Sequence, residues 1–122
     1  MGVRQLFPIV TSRDLARLIA FYEAALDAVV DYRFGADGQD DYVSLRLGAA
    51  ALGIGRVAET PVAGDRIALW FYVDDVDASF AAWTRLGGAV EQPPTDMPWG
   101  ERVAQVRDPD GNLVNLATPP TG

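Results

Sequence analysis

At 122 residues, 49% of them apolar and 22% charged, the chain fits one globular domain, because two independent domains of about 60 residues would each be marginal. Its net charge of −7, from 17 acidic against 10 basic residues, disfavours a nucleic-acid partner and would draw cations to a negative cleft, or else simply keeps the protein soluble. No apolar run reaches the roughly 20 residues of a membrane span, and with no cysteine there is no disulfide, thiolate nucleophile or zinc-thiolate site.

In chain order, Met1 to Gln5 lack the charged and apolar segments of an export signal, and Leu6 stands where a myristoylation signal needs Ser or Thr. A cytoplasmic location is therefore expected. Leu6 to Val10 reads as a short strand, placed at an edge or exchanged because Pro8 cannot donate to a ladder. Thr11-Ser12-Arg13-Asp14 offers capping side chains, and Leu15, Leu18, Ile19, Tyr22 and Leu26 then recur at helical spacing from about Asp14 to Ala28. Val29 to Phe34, Tyr42 to Leu47 and Ala51 to Ile54 read as strands, separated by the Gly35-Ala36-Asp37-Gly38 turn and the short Gly48 connection. Pro61 and Gly64, between Val57 and Asp65, mark the one plausible linker.

Ile67 to Val73 reads as the next strand, and Val76 to Leu86 as a helix with Val76, Phe80 and Trp83 on one face, stopped by Gly87-Gly88. Ala89 to Gln92, Arg102 to Arg107 and Leu113 to Ala117 supply the remaining strands, with Asp108-Pro109-Asp110-Gly111-Asn112 as a turn between the last two. The second half thus repeats the first. A shift of 61 positions lays Asp14-Leu15-Ala16 on Asp75-Val76-Asp77, Phe7 on Ala68, Tyr22 on Trp83 and Ala28-Val29 on Ala89-Val90. The expected architecture is α+β: one domain, 1–122, of two tandem strand-helix-three-strand modules at about 4–57 and 65–118. They would form a curved sheet around a cleft, with helices on its outer face.

Two such modules, a first helix opening Asp14-Leu15 and closing Phe21-Tyr22-Glu23, the Trp99-Gly100 loop and the Asp108 to Asn112 turn together resemble the vicinal oxygen chelate superfamily. That group contains glyoxalases, extradiol dioxygenases, fosfomycin-modifying enzymes and bleomycin-resistance proteins. The resemblance covers nearly the whole chain. In metal-using relatives, the ligands would map onto Phe7, Ala68, Asn115 and, with a one-residue offset, Gly53. None is a usual metal ligand, and the chain has no histidine. The resemblance therefore implies a cleft without the metal or cofactor, and it is nearest in type to the bleomycin-resistance branch, through the loop Asp96-Met97-Pro98-Trp99-Gly100-Glu101-Arg102. Two departures are Asp27 in place of a helix-ending glycine and Asn115 in place of a glutamate. A homodimer with clefts built across subunits is also implied.

The candidate ligand-binding residues are Phe7, Phe34, Tyr42, Trp70, Tyr72, Trp99, Arg102 and Asn115. Alternation puts Trp70 and Tyr72 on the strand face opposite Ile67, Leu69, Phe71 and Val73, where their rings either stack on a planar or cationic ligand or close the core. Trp99, in a Pro- and Gly-flanked loop, is either a ligand contact or a structural lid anchor. Asn115 either hydrogen-bonds within the cleft or faces solvent. Tyr22 and Trp83 belong to the core, and Asp74-Asp75-Val76-Asp77 caps the second helix. Asp96 and Glu101 form a negative rim that attracts a cation, or are solvated surface charge. The function expected is metal-independent binding of an aromatic or cationic antibiotic-like small molecule, with neither nucleic acid nor membrane as partner. The competing readings are an enzyme of the same fold acting on a small oxygenated substrate, and an interaction module whose cleft its own side chains fill.

Overall fold

The computed structural model describes residues 2–59 and 64–119. The chain divides into two compact units, Met1–Pro61 and Val62–Gly122. Pro61, one of the two linker marks, lies outside the described residues. The eight strands form two four-stranded sheets, ordered β1-β4-β3-β2 and β5-β8-β7-β6, with one helix in each unit. This is the duplicated βαβββ pattern.

In the first unit, β1 (Ile9–Ser12) is an edge strand, paired in parallel with β4 (Ala50–Arg56). It begins after Pro8 instead of containing it: the Pro8 carbonyl accepts from Gly53 N at 2.9 Å, while the ladder proper, which needs N–H donors, starts at Ile9. Helix α1 (Leu15–Leu26) has Asp14 as its N-cap, the side chain accepting from Arg17 N at 3.1 Å while Ser12 Oγ accepts from Asp14 N at 3.0 Å. Its end is set by Asp27, which sits in the left-handed region at φ 56°, a conformation that a short polar side chain tolerates. β2 (Val29–Ala36) and β3 (Gln39–Leu47) join through Asp37-Gly38, both at positive φ, as a two-residue hairpin requires. Leu15, Leu18 and Tyr22 of α1 are buried, as are Val43, Leu45, Leu52 and Ile54 on the alternate positions of β3 and β4.

The second unit repeats this plan. β5 (Leu69–Tyr72) is an edge strand parallel to β8 (Leu113–Ala117), and α2 (Val76–Arg85) starts at Asp75, which accepts from Ala78 N at 3.1 Å. Ile67 falls before β5 and is exposed, so the aliphatic row under the helix starts at Leu69 instead. β6 (Ala89–Asp96) runs four residues beyond its expected end at Gln92, crossing Pro93 and Pro94 at a register shift, a place where a missing N–H breaks no regular ladder. It pairs with β7 (Arg102–Arg107), the strand's bounds being those read from the sequence. Trp83 is fully buried and donates from Nε1 to the Arg107 carbonyl at 2.8 Å. Tyr22, its counterpart in the repeat, is also fully buried, so one aromatic anchors each helix.

The turn between β7 and β8 is organised by one buried carboxylate. Asp108 accepts from Asp110 N and Asn112 N at 3.0 Å each and from Asn112 Nδ2 at 2.9 Å. Its own N–H donates to the Asn112 carbonyl at 3.1 Å, closing the loop.

Candidate functional site

Register decides which side chains share a face. In the second unit Trp70 stands opposite Asn115, which stands opposite Gln105; Tyr72 stands opposite Ala117, which stands opposite Val103. Leu69 and Phe71 pair instead with Val114 and Leu116, and these join Ala104 and Val106 on the other face. Trp70, Tyr72 and Asn115 therefore share one face, as alternation predicts. The two rings meet edge to face, with centroids 6.1 Å apart at 76°, and remain 44% and 54% exposed. Asn115 is nearly buried, and its Oδ1 accepts from Gln105 Nε2 at 3.2 Å.

The β6–β7 hairpin brings a third ring. Its turn is closed by Met97 N donating to the Glu101 carbonyl at 2.7 Å and Gly100 N donating to the Met97 carbonyl at 3.0 Å. Trp99 projects from it, 62% exposed, and its Nε1 donates to Glu101 Oε1 at 2.7 Å. The second oxygen, Glu101 Oε2, is buried with no hydrogen-bond partner among the described residues. Glu101 is thus not solvated surface charge. The Tyr72 phenol approaches this carboxylate closely enough that hydrogen bonding to it holds the phenol pKa above its ordinary value. Desolvation and the carboxylate's charge act the same way, and hydrogen bonding with Trp70 opposes them. Oε2 itself has no hydrogen-bond partner among the described residues.

Arg102 adjoins Glu101 in sequence but not in chemistry. Strand alternation sends it to the face of Ala104 and Val106, where it makes a forked pair with Asp77, at 2.9 and 3.0 Å, and reaches Asp96 at 3.0 Å. Those carboxylates, Asp77 first, push its pKa up, and Asp77's own is lowered in return. The structure does not bring Arg102 to the aromatic cluster. Asp96, also read as rim, is the partner of Arg102.

In the first unit Phe34 stands opposite Tyr42 and Tyr32 opposite Ser44, with the Tyr32 and Tyr42 rings 6.3 Å apart. Tyr32 was missed by the sequence reading, although its place two residues before Phe34 on one strand face signals it. Tyr42 leans across β4 over Gly53: a Cβ there would overlap the Tyr42 hydroxyl and come within 3.0 Å of Ile9 Cγ1, so a bare glycine is what lets the ring lie flat on the sheet. Phe7 precedes β1 and is exposed. Gly53 opposite Ile9 and Asn115 opposite Trp70 hold equivalent places in the two parallel ladders, which resolves the one-residue offset in their mapping.

The model of the Glyoxalase/Bleomycin resistance protein/Dioxygenase superfamily matches residues 5–116. The chain belongs to that superfamily. It is 35% identical over 108 residues to "Putative glyoxylase CFP32" of Mycobacterium tuberculosis, an alignment covering 87% of this chain and 40% of CFP32. The chain thus spans well under half the length of that relative. Among solved structures, TioX from Micromonospora sp. ML1 is similar at TM-score 0.76 and 25% identity, covering 95% of this chain and 98% of TioX. A bleomycin resistance determinant encoded on the transposon Tn5 shares the fold at TM-score 0.70 and 23% identity, covering 95% and 98%.

Against the metal centre of metal-using superfamily members, the donor set here does not fit. Gly53 has no side chain, the Asn115 amide oxygen is already bonded to Gln105, and Phe7 and Ala68 are hydrocarbon. Among the described residues no group of three or more His, Cys, Asp or Glu is placed to hold a metal ion. No described helix is long and apolar enough to cross a membrane.

Proposed function

We propose that the chain binds and sequesters an aromatic or cationic, antibiotic-like small molecule without a metal. The observation that carries this reading is the exposed cluster of Trp70, Tyr72 and Trp99 around a carboxylate with one unused oxygen. Large rings exposed together on one sheet face are costly to leave in water, and covering them with a ligand returns about 25 cal/mol per Å² of apolar surface. With its pKa raised, Tyr72 stays a neutral phenol at physiological pH, which suits stacking and hydrogen-bond donation better than proton abstraction. Phe34 and Tyr42 supply a second aromatic surface on the first unit, and Phe7 and Asn115 complete the residues assigned to ligand contact. The Tn5 protein, a bleomycin resistance determinant with the same fold, supports the antibiotic class and the scaffold.

The test is tryptophan fluorescence titration with cationic glycopeptides and planar antibiotics, followed by mass spectrometry of the recovered compound. Saturable quenching with the compound returned unchanged is expected; no quenching by any candidate, with the fold intact, overturns the reading.

A second reading is an enzyme acting on a small oxygenated substrate, and the name of CFP32 favours it. Elemental analysis separates the two, since one equivalent of a transition metal in purified protein supports the enzyme. The proposal extends to a cytoplasmic homodimer, supported by exposed Leu6, Phe7 and Ile9 at and before an edge strand. Sedimentation at micromolar concentration tests the dimer, and a monomer there rejects it.

A further inference from the structure

We propose that Glu101, walled by Trp70, Tyr72 and Trp99, is the counter-ion of a site for a ligand ammonium group that carries at least one N–H. This deepens the binding reading above and rests on it. A carboxylate only accepts hydrogen bonds, so a buried carboxylate oxygen without a donor carries a desolvation cost that a native fold ordinarily cancels. Oε1 has the Trp99 indole N–H; Oε2 has no hydrogen-bond partner among the described residues, and the neighbouring Tyr72 phenol brings no positive charge.

The two guanidinium groups of β7 are engaged by other carboxylates. The guanidinium next in sequence, Arg102, points to the other face and is held by Asp77 and Asp96. The other guanidinium on β7, Arg107, is held by Asp65 at 2.6 Å and Glu91 at 2.6 Å. Beside Glu101 stand the Trp99 indole, through its N–H, and the Tyr72 phenol, and aromatic rings attract a cation to their faces. Trp70 and Tyr72 stand edge to face on a strand, and Trp99 stands on a turn as the most exposed of the three rings. A quaternary ammonium would gain the rings and the carboxylate's charge but has no N–H to donate. A protonated amine also donates to Oε2, a charge-assisted bond stronger than a neutral one.

Three probes of one shape isolate these contributions: benzylammonium, benzyltrimethylammonium and benzyl alcohol, each titrated by calorimetry. Benzylammonium is expected to bind about tenfold or more tighter than benzyl alcohol, with the quaternary probe between them. Glu101→Gln should shrink the charged-to-neutral ratio by about tenfold, circular dichroism confirming the fold. Trp99→Phe keeps a ring and removes only the donor to Oε1, so the preference for benzylammonium should persist. If Glu101→Gln does not fold, the ranking of the three probes on the unmodified chain decides.

Equal affinity for charged and neutral probes, or tightest binding of the quaternary one, overturns the ammonium site. Quenching by planar neutral antibiotics alongside that result leaves the binding reading standing. No quenching by any compound removes both.

Discussion

Asp108 and Gly88 show how much of this fold depends on single positions. Asp108 reads in the sequence as the first residue of a turn, and the structure makes its carboxylate the acceptor for three donors in a nearly solvent-free pocket. Replacing it by alanine orphans those donors, and a loss of about 2–3 kcal/mol in urea unfolding is expected. Asp108→Asn keeps one acceptor oxygen and should lose less. At Gly88 the cost is steric. A Cβ there would overlap the Trp83 indole and sit 3.1 Å from the Arg107 carbonyl, the group to which Trp83 donates. Because Trp83 is fully buried, it has no room to retreat, and Gly88→Ala should destabilise by about 1–3 kcal/mol. Neither effect shows in helical or strand periodicity. At Asp108 it comes from how deeply a local turn is buried, and at Gly88 from the approach of Trp83 and the Arg107 carbonyl, neither of which a one-dimensional pattern registers.

At the scale of elements the sequence is far more legible, and the reason is periodic. Leu15, Leu18, Ile19 and Tyr22 mark α1 because a helix with one buried face must repeat its apolar residues near every 3.6 positions, and these four are buried. β7 and β8 carry their expected bounds because Gly100, Asp108 and Gly111 punctuate them sharply. β6 outruns its expected end at Gln92 because a register shift accommodates Pro93 and Pro94, which a regular ladder would not. The site divides the same way. Alternation gives the common face of Trp70 and Tyr72, but not Asn115's place on it, which the register with β8 sets, nor the burial of Glu101 Oε2.

Elements of the second unit are also tied by ion pairs. Arg107 links β7 to Asp65 and Glu91, and Arg102 links it to Asp77 of α2 and Asp96. Hydrogen bonding to these guanidinium groups lowers the pKa of Asp65 and of Asp77 from the ordinary 3.8. A carboxylate with a lowered folded pKa binds protons more weakly when folded than unfolded. Its contribution is therefore whole above the unfolded value and is lost as pH falls through the folded one. The urea midpoint should hold steady from neutrality to about pH 5 and drop below about pH 4. In an Arg102→Gln, Arg107→Gln double variant the drop should be shallower. An equal drop would place the acid sensitivity elsewhere, and because both carboxylates are exposed the difference is expected to be small.

Over the whole molecule the 17 acidic and 10 basic residues leave −7, a field that draws any cation toward the protein whether or not a site receives it. General attraction and a specific counter-ion respond differently to salt. The Debye length is about 10 Å at 0.1 M and about 3 Å at 1 M, so the diffuse field is nearly gone at high salt, whereas a contact between a partly buried carboxylate and an N–H donor is screened much less. Benzylammonium affinity should therefore fall as sodium chloride rises toward 1 M, while benzyl alcohol affinity stays nearly flat. If Glu101 is the counter-ion, a preference for the ammonium must survive at the highest salt, as the short-range remainder. If the charged-to-neutral ratio instead declines to one, net charge alone accounts for the attraction and the carboxylate has no local part in it. Repeating the series with Glu101→Gln, which alters the total by a single charge, isolates the local term: the low-salt attraction should largely persist and the high-salt remainder should vanish.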